Sequence, residues 1–185
     1  AYLKRLGGEA RVSALEPLPQ NRAALEATIA SHPFGGRIAA VPFGAGAAPM
    51  SAEIDSEDEG VDARATLRCK PGARAEIRIE TLDRLFAETR IDFIKIDVEG
   101  QEFNALRGFV AGLELRPRIV SEFAPSMLHN ATGEDYLGLL LTRGYRIGVI
   151  APDGSVASFH REPSPIMKAF EAANTHIDIF AVAVE

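Results

Sequence analysis

The stretch IDFIKIDVEG, residues 91–100, constrains the fold more than any other part of the chain. It is an apolar strand with an ammonium, Lys95, in its middle, two carboxylates, Asp97 and Glu99, at its exit, and Gly100 to stop it. A helix-patterned segment follows at 101–113, with Phe103, Leu106, Val110 and Leu113 on one face. Strand, acidic exit, glycine and helix is the local order of an open parallel sheet, whose ligands sit outside the carboxyl ends of its strands. Asp97 and Glu99 fall where that crevice would be. A charge inside so apolar a strand costs free energy unless it is paired or used.

The same alternation runs through the chain. Residues 11–16 read as a strand ended by Pro17 and Pro19, 21–30 as a helix with Leu25 and Ile29 inward, and 37–43 as the next strand. Residues 45–71 carry acidic side chains with little periodicity and are expected to be a surface excursion, with a weak hairpin at 63–68 and a strand at 75–79. Then come a short helix at 81–88, the strand at 91–98, the helix at 101–113 and a strand at 118–123. Thr132 and Asp135 have the spacing of a capping box and open a helix with Leu137, Leu140 and Leu141 inward. A strand at 145–150, a turn at Asp153 and Gly154, a helix at 164–172 and a strand at 177–184 complete the series. One α/β domain over residues 1–185, built on a parallel sheet with crossovers, is the expectation.

Bulk properties remove several classes of function. Twenty basic residues against 26 acidic give a net charge of −6, with no basic block, so nucleic acid and anionic membrane are disfavoured partners. The single cysteine, Cys69, cannot form an internal disulfide, and no apolar run reaches the ~18 residues of a membrane span. The expected compartment is the cytoplasm. His32, His160 and His176 show no ligand spacing with one another or with Cys69, and the acidic run lacks EF-hand spacing, so no metal site is expected. Neither a phosphate-binding glycine loop ending in Lys nor a nucleophile elbow is present.

Several residues can carry chemistry. Glu16 ends the first strand, and its two carboxylate oxygens match the two adjacent donors of a ribose diol; a solvated strand cap is its alternative reading. Phe43, after the next strand, can lie against an adenine ring or simply pack in the core. Lys95 needs a counter-charge, with Asp97 and Glu122 as the candidates, and that ion-pair network can be purely structural. Asp97 and Glu99 can hold a cationic group or accept a proton from a hydroxyl. His129, on the loop after Glu122, is a further candidate base, or an exposed loop histidine.

The motif IKIDVEG at 94–100, followed by Glu102, Leu106, Arg107 and Gly108, resembles that of the FkbM-type S-adenosylmethionine-dependent methyltransferases. The likeness extends to VSALEPLPQN at 12–21, to Thr81-Leu82-Asp83, to RPRIVSE at 116–122 and to Gly144-Tyr145-Arg146, and so covers nearly the whole chain. It implies a Rossmann-like class I methyltransferase sheet of seven strands, mostly parallel with the last antiparallel. By the same resemblance Glu16 binds the cofactor ribose, Pro42 and Phe43 lie at the adenine edge, and Asp97 sits near the reactive methyl. Oxygen methylation of a sugar or natural product is the implied reaction. The base would be Asp97, Glu99 or His129, in that order. The family's glycine-rich first strand and turn would precede Tyr2, so the chain is expected to be a fragment of a longer reading frame. A nicotinamide-dependent oxidoreductase using Glu16 on the ribose, and a non-catalytic binding domain that keeps the sheet, are the alternatives.

Overall fold

Strands and helices alternate in a computed structural model that describes residues 10–55 and 74–184. The chain divides into two units, Ala1–Glu80 and Thr81–Glu185.

In the first unit β1 (Val12–Leu15) runs parallel to β2 (Ile38–Val41), in register from Val12↔Ile38 to Leu15↔Val41. The crossover is α1 (Pro19–Ser31), which begins on a proline, where a missing N–H costs nothing. It stops before Pro33, whose ring pushes His32 into the extended region at φ −84° and ψ 137°. Leu25 and Ile29 are half-buried, on the inner face the spacing predicts, but no residue of α1 is fully buried.

Val41 closes the first ladder with a doubly used carbonyl, which accepts from Glu16 N–H at 3.0 Å and from Phe43 N–H at 2.9 Å. The second bond makes a three-residue turn centred on Pro42. It breaks the line of β2, and the chain restarts as β3 (Gly44–Ala45) beside β5 (Arg74–Glu80). On the other side of β5 lies β4 (Met50–Asp55), antiparallel from Met50↔Ile79 to Asp55↔Arg74. Residues 50–55 are thus a strand rather than part of a loop. Apolar and polar residues alternate through MSAEID, a period-two signal diluted by the acidic residues around it. The hairpin expected at 63–68 lies outside the described residues.

The second unit holds most of the core. Its sheet has the order β6-β7-β9-β8, made of β6 (Phe93–Ile96), β7 (Arg118–Phe123), β9 (Ile177–Ala183) and β8 (Tyr145–Val149). β6 and β7 are parallel, and β9 is antiparallel to both β7 and β8, so the last strand alone runs backwards. Ile96, Ile119, Phe123, Ile147 and Ile179 are buried, as are Leu106, Leu113, Tyr136, Leu137, Leu140 and Ile166 from the helices. Truncating any one of these leucines to alanine would cost about 2–5 kcal/mol.

The helix expected over 101–113 is broken into α3 (Glu102–Arg107) and α4 (Val110–Glu114). Asp83, in the short α2 (Leu82–Leu85), is the cause. Its carboxylate accepts from the N–H groups of Ala111 and Gly112, both at 2.9 Å, and its own N–H donates to Gly108 O at 2.9 Å. A continuous helix would need those same groups for its own i to i−4 bonds. Beyond β7, the Thr132–Asp135 capping box is formed and opens α5 (Gly133–Leu141). α6 (Ser164–Ala173) ends on Asn174 in the left-handed region at φ 61°.

In place of the expected single sheet, the described residues show a strand pairing divided among sheets of two, three and four strands. It is mixed rather than mostly parallel, with three parallel and three antiparallel pairings, because β4 folds back on β5 and β9 inserts between β7 and β8. The position of the family's first strand, before Tyr2, is outside the described residues. No helix among the described residues is long and apolar enough to cross a membrane.

Candidate functional site

The exit of β6 is built around Gly100. Pairing with β7 stops at Ile96↔Ser121, and the chain then turns through Asp97, Val98, Glu99 and Gly100. Glu99 has φ 52° and Gly100 φ 90°, two successive left-handed residues. A side chain on Gly100 would stand 2.2 Å from the carbonyl oxygen of Met127, so only glycine fits. From that adjoining loop His129 donates its N–H to Gly100 O at 2.9 Å.

Beneath the turn lies Glu102, only 3% exposed. Its Oε1 accepts from Val98 N–H at 3.0 Å and from Gly100 N–H at 3.2 Å. These donors lie beyond the strand ladder, and such groups are costly to leave unpaired when buried. In the sequence Glu102 stands out only as a member of its motif. The available signal was an acid in the first turn of a helix directly after a glycine stop.

Lys95 is not buried, contrary to its setting in the sequence. Its side chain is 57% exposed and pairs with Asp97, itself 45% exposed, at 2.5 Å. An exposed pair of this kind contributes about 0–1 kcal/mol. Asp97, rather than Glu122, thus takes the ammonium. Period-two alternation along an uninterrupted strand would put Glu99 on the face of Lys95 and Asp97, but the strand ends at Ile96 and Glu99 lies in the turn.

Glu122 senses this negative ground. Burial raises the pKa of its carboxyl, Asp97 raises it further, Glu99 and Glu102 add to the rise, and His176 opposes it. A cationic group at this end of the unit would meet a field of the favourable sign.

In the first unit the exits of β1 and β2 carry Glu16, Pro42 and Phe43. Leu18 N–H donates to Glu16 Oε1 at 2.9 Å and so orients the carboxylate; its remaining lone pairs can still serve a diol. Pro42 is exposed at the centre of its turn, and Phe43 is half-buried. The guanidinium of Arg78 lies over the Phe43 ring, 4.6 Å from its centroid, a contact that no local sequence pattern announces. The predicted residues thus form two groups: Glu16, Pro42 and Phe43 in the first unit, and Asp97, Glu99 and His129 around Gly100 in the second. Among the described residues no group of three or more His, Cys, Asp or Glu could hold a metal ion.

The sequence model of the methyltransferase FkbM domain matches residues 1–147. The chain matches no curated protein. Among solved structures it is similar to that of methyltransferase FkbM from Methylobacillus flagellatus KT, with a TM-score of 0.55 and 19% identity. That likeness covers 93% of this chain and 36% of the other, and at such identity it speaks to the fold alone.

Proposed function

The chain belongs to the family of the methyltransferase FkbM domain, and on that premise we propose that it methylates a hydroxyl of a small molecule or glycan, with S-adenosylmethionine as donor. The observation that carries this reading is the acidic exit of β6, where Asp97 and Glu99 stand on a locked turn and Glu122 is held above its ordinary pKa. When bound, the donor supplies an electrophilic methyl on a sulfonium; the acceptor oxygen forms the new C–O bond as the C–S bond breaks, leaving S-adenosylhomocysteine and one proton.

The chain's residues suit the parts of such a ligand. Glu16, its carboxylate oriented by Leu18 N–H, would accept from the ribose hydroxyls. Pro42 and Phe43 would border the adenine. Asp97 would face the sulfonium, where a carboxylate offsets positive charge. The proton from the acceptor goes to a nearby base, and we rank Asp97, Glu99 and His129 in that order. Beyond that proton transfer the protein's work is positioning, which can account for many powers of ten in rate. The net charge of −6 argues against a nucleic-acid acceptor.

Titration calorimetry of S-adenosylmethionine into the natural full-length protein tests the proposal. Binding is expected, with Glu16→Ala weakening it about tenfold, as the loss of a charge-assisted pair of hydrogen bonds would. No heat of binding to the unaltered protein would end it.

A further inference from the structure

We propose that Glu102 is a positioning residue, whose buried carboxylate sets the turn that presents Asp97 and Glu99 and ties that turn to the loop carrying His129. The proposal rests on the methyl-transfer reading for its purpose, though not for its geometry.

A glutamate only 3% exposed is unusual, since carboxylates rarely lose water without compensation. Here the compensation is two backbone donors, Val98 N–H and Gly100 N–H, both directed at Oε1. They secure a conformation that the backbone would not choose, because Glu99 sits in the left-handed region at φ 52° without being glycine. Gly100 is then held at both ends: its N–H by Glu102 and its carbonyl by His129 N–H. The missing side chain lets the Met127 carbonyl close over it. Asp97 and Glu99 on the turn and His129 on a loop distant in sequence therefore depend on one clamped residue.

Two substitutions separate geometry from charge. Glu102→Gln keeps an oxygen at the right reach to accept both N–H groups and removes the charge. Glu102→Asp keeps the charge and withdraws the oxygen by one methylene. In the full-length protein, amide hydrogen exchange at Val98, Gly100 and His129 is expected to accelerate more than tenfold in Glu102→Asp, with Leu140 unchanged, and to stay near wild type in Glu102→Gln. The second measurement is the affinity for S-adenosylmethionine relative to S-adenosylhomocysteine, which differ in the sulfonium charge. That preference is expected to fall at least threefold in Glu102→Asp and to persist in Glu102→Gln. Wild-type exchange in Glu102→Asp, or equal acceleration in both variants, overturns the proposal. So does a ligand preference that follows charge instead of reach. If the wild type binds neither ligand, the methyl-transfer reading fails, and exchange alone still decides whether Glu102 is the clamp.

Discussion

Glu122 and Asp97 each follow the last registered pair of neighbouring parallel strands, Ser121 and Ile96, and the charge on Asp97 helps hold Glu122 above its ordinary pKa. Burial is the larger cause, and the two act in the same direction. The folded protein therefore binds this proton more tightly than the unfolded chain does. The resulting stability is fully present below the ordinary glutamate pKa and is lost as pH rises through the folded value.

Glu122→Gln mimics the protonated form and should remove that loss. Its melting temperature is expected to exceed that of the wild type at about pH 8, with the gap closing by about pH 4. Thermal melts across that range check this; a gap that does not change with pH would contradict it.

Asp83 caps a helix 28 residues away. Asp83→Ala strands the N–H groups of Ala111 and Gly112 and should lower stability by about 1–2 kcal/mol. Asp83→Asn keeps one accepting oxygen and should fall between. Urea unfolding measures both, and an alanine variant as stable as wild type would show that water replaces the cap at no cost.

Gly100→Ala meets a double penalty, from φ 90° and from the Met127 carbonyl 2.2 Å away from the added methyl. A loss of about 2 kcal/mol or more is expected. Gly138→Ala, in α5 with nothing within 4 Å of the new atom, should instead gain about 0.5–1 kcal/mol. Opposite signs in denaturant unfolding are the expected outcome.

Two buried tyrosines should respond differently to loss of their hydroxyls. The Tyr136 hydroxyl is buried beside the Ser121 side chain without a well-formed hydrogen bond, whereas that of Tyr145 donates to Leu113 O at 3.3 Å. Tyr136→Phe is expected to be neutral or stabilising, and Tyr145→Phe to cost about 1 kcal/mol. Paired calorimetric melts compare them directly.

Much of this is legible in the amino-acid sequence itself. Segments that read as strands contain β1, β2, β6, β7, β8 and β9, and the Thr132–Asp135 spacing announces its capping box. What stayed hidden depends on contacts distant in sequence. The break between α3 and α4 is made by Asp83, which no local pattern connects to Ala111. β4 was concealed by acidic neighbours that weaken an alternation of only six residues. At the candidate site, Asp97, Glu99 and His129 were visible as chemistry-bearing residues, but their common dependence on Gly100 was not. Glu102 escaped notice because an acid at a helix start normally reads as a solvated first-turn residue, and only its burial reveals otherwise.

The reversed strand has a consequence for how a nascent chain matures. β8 has no ladder to β7 except through β9, which is placed between them. Until residues 177–183 leave the ribosome, β6 and β7 can zip together while β8 has only the bridge from Ile147 to His160 beside it. Completion of this sheet therefore waits for β9, and the interval beforehand is when a vacant strand edge is open to association with other chains.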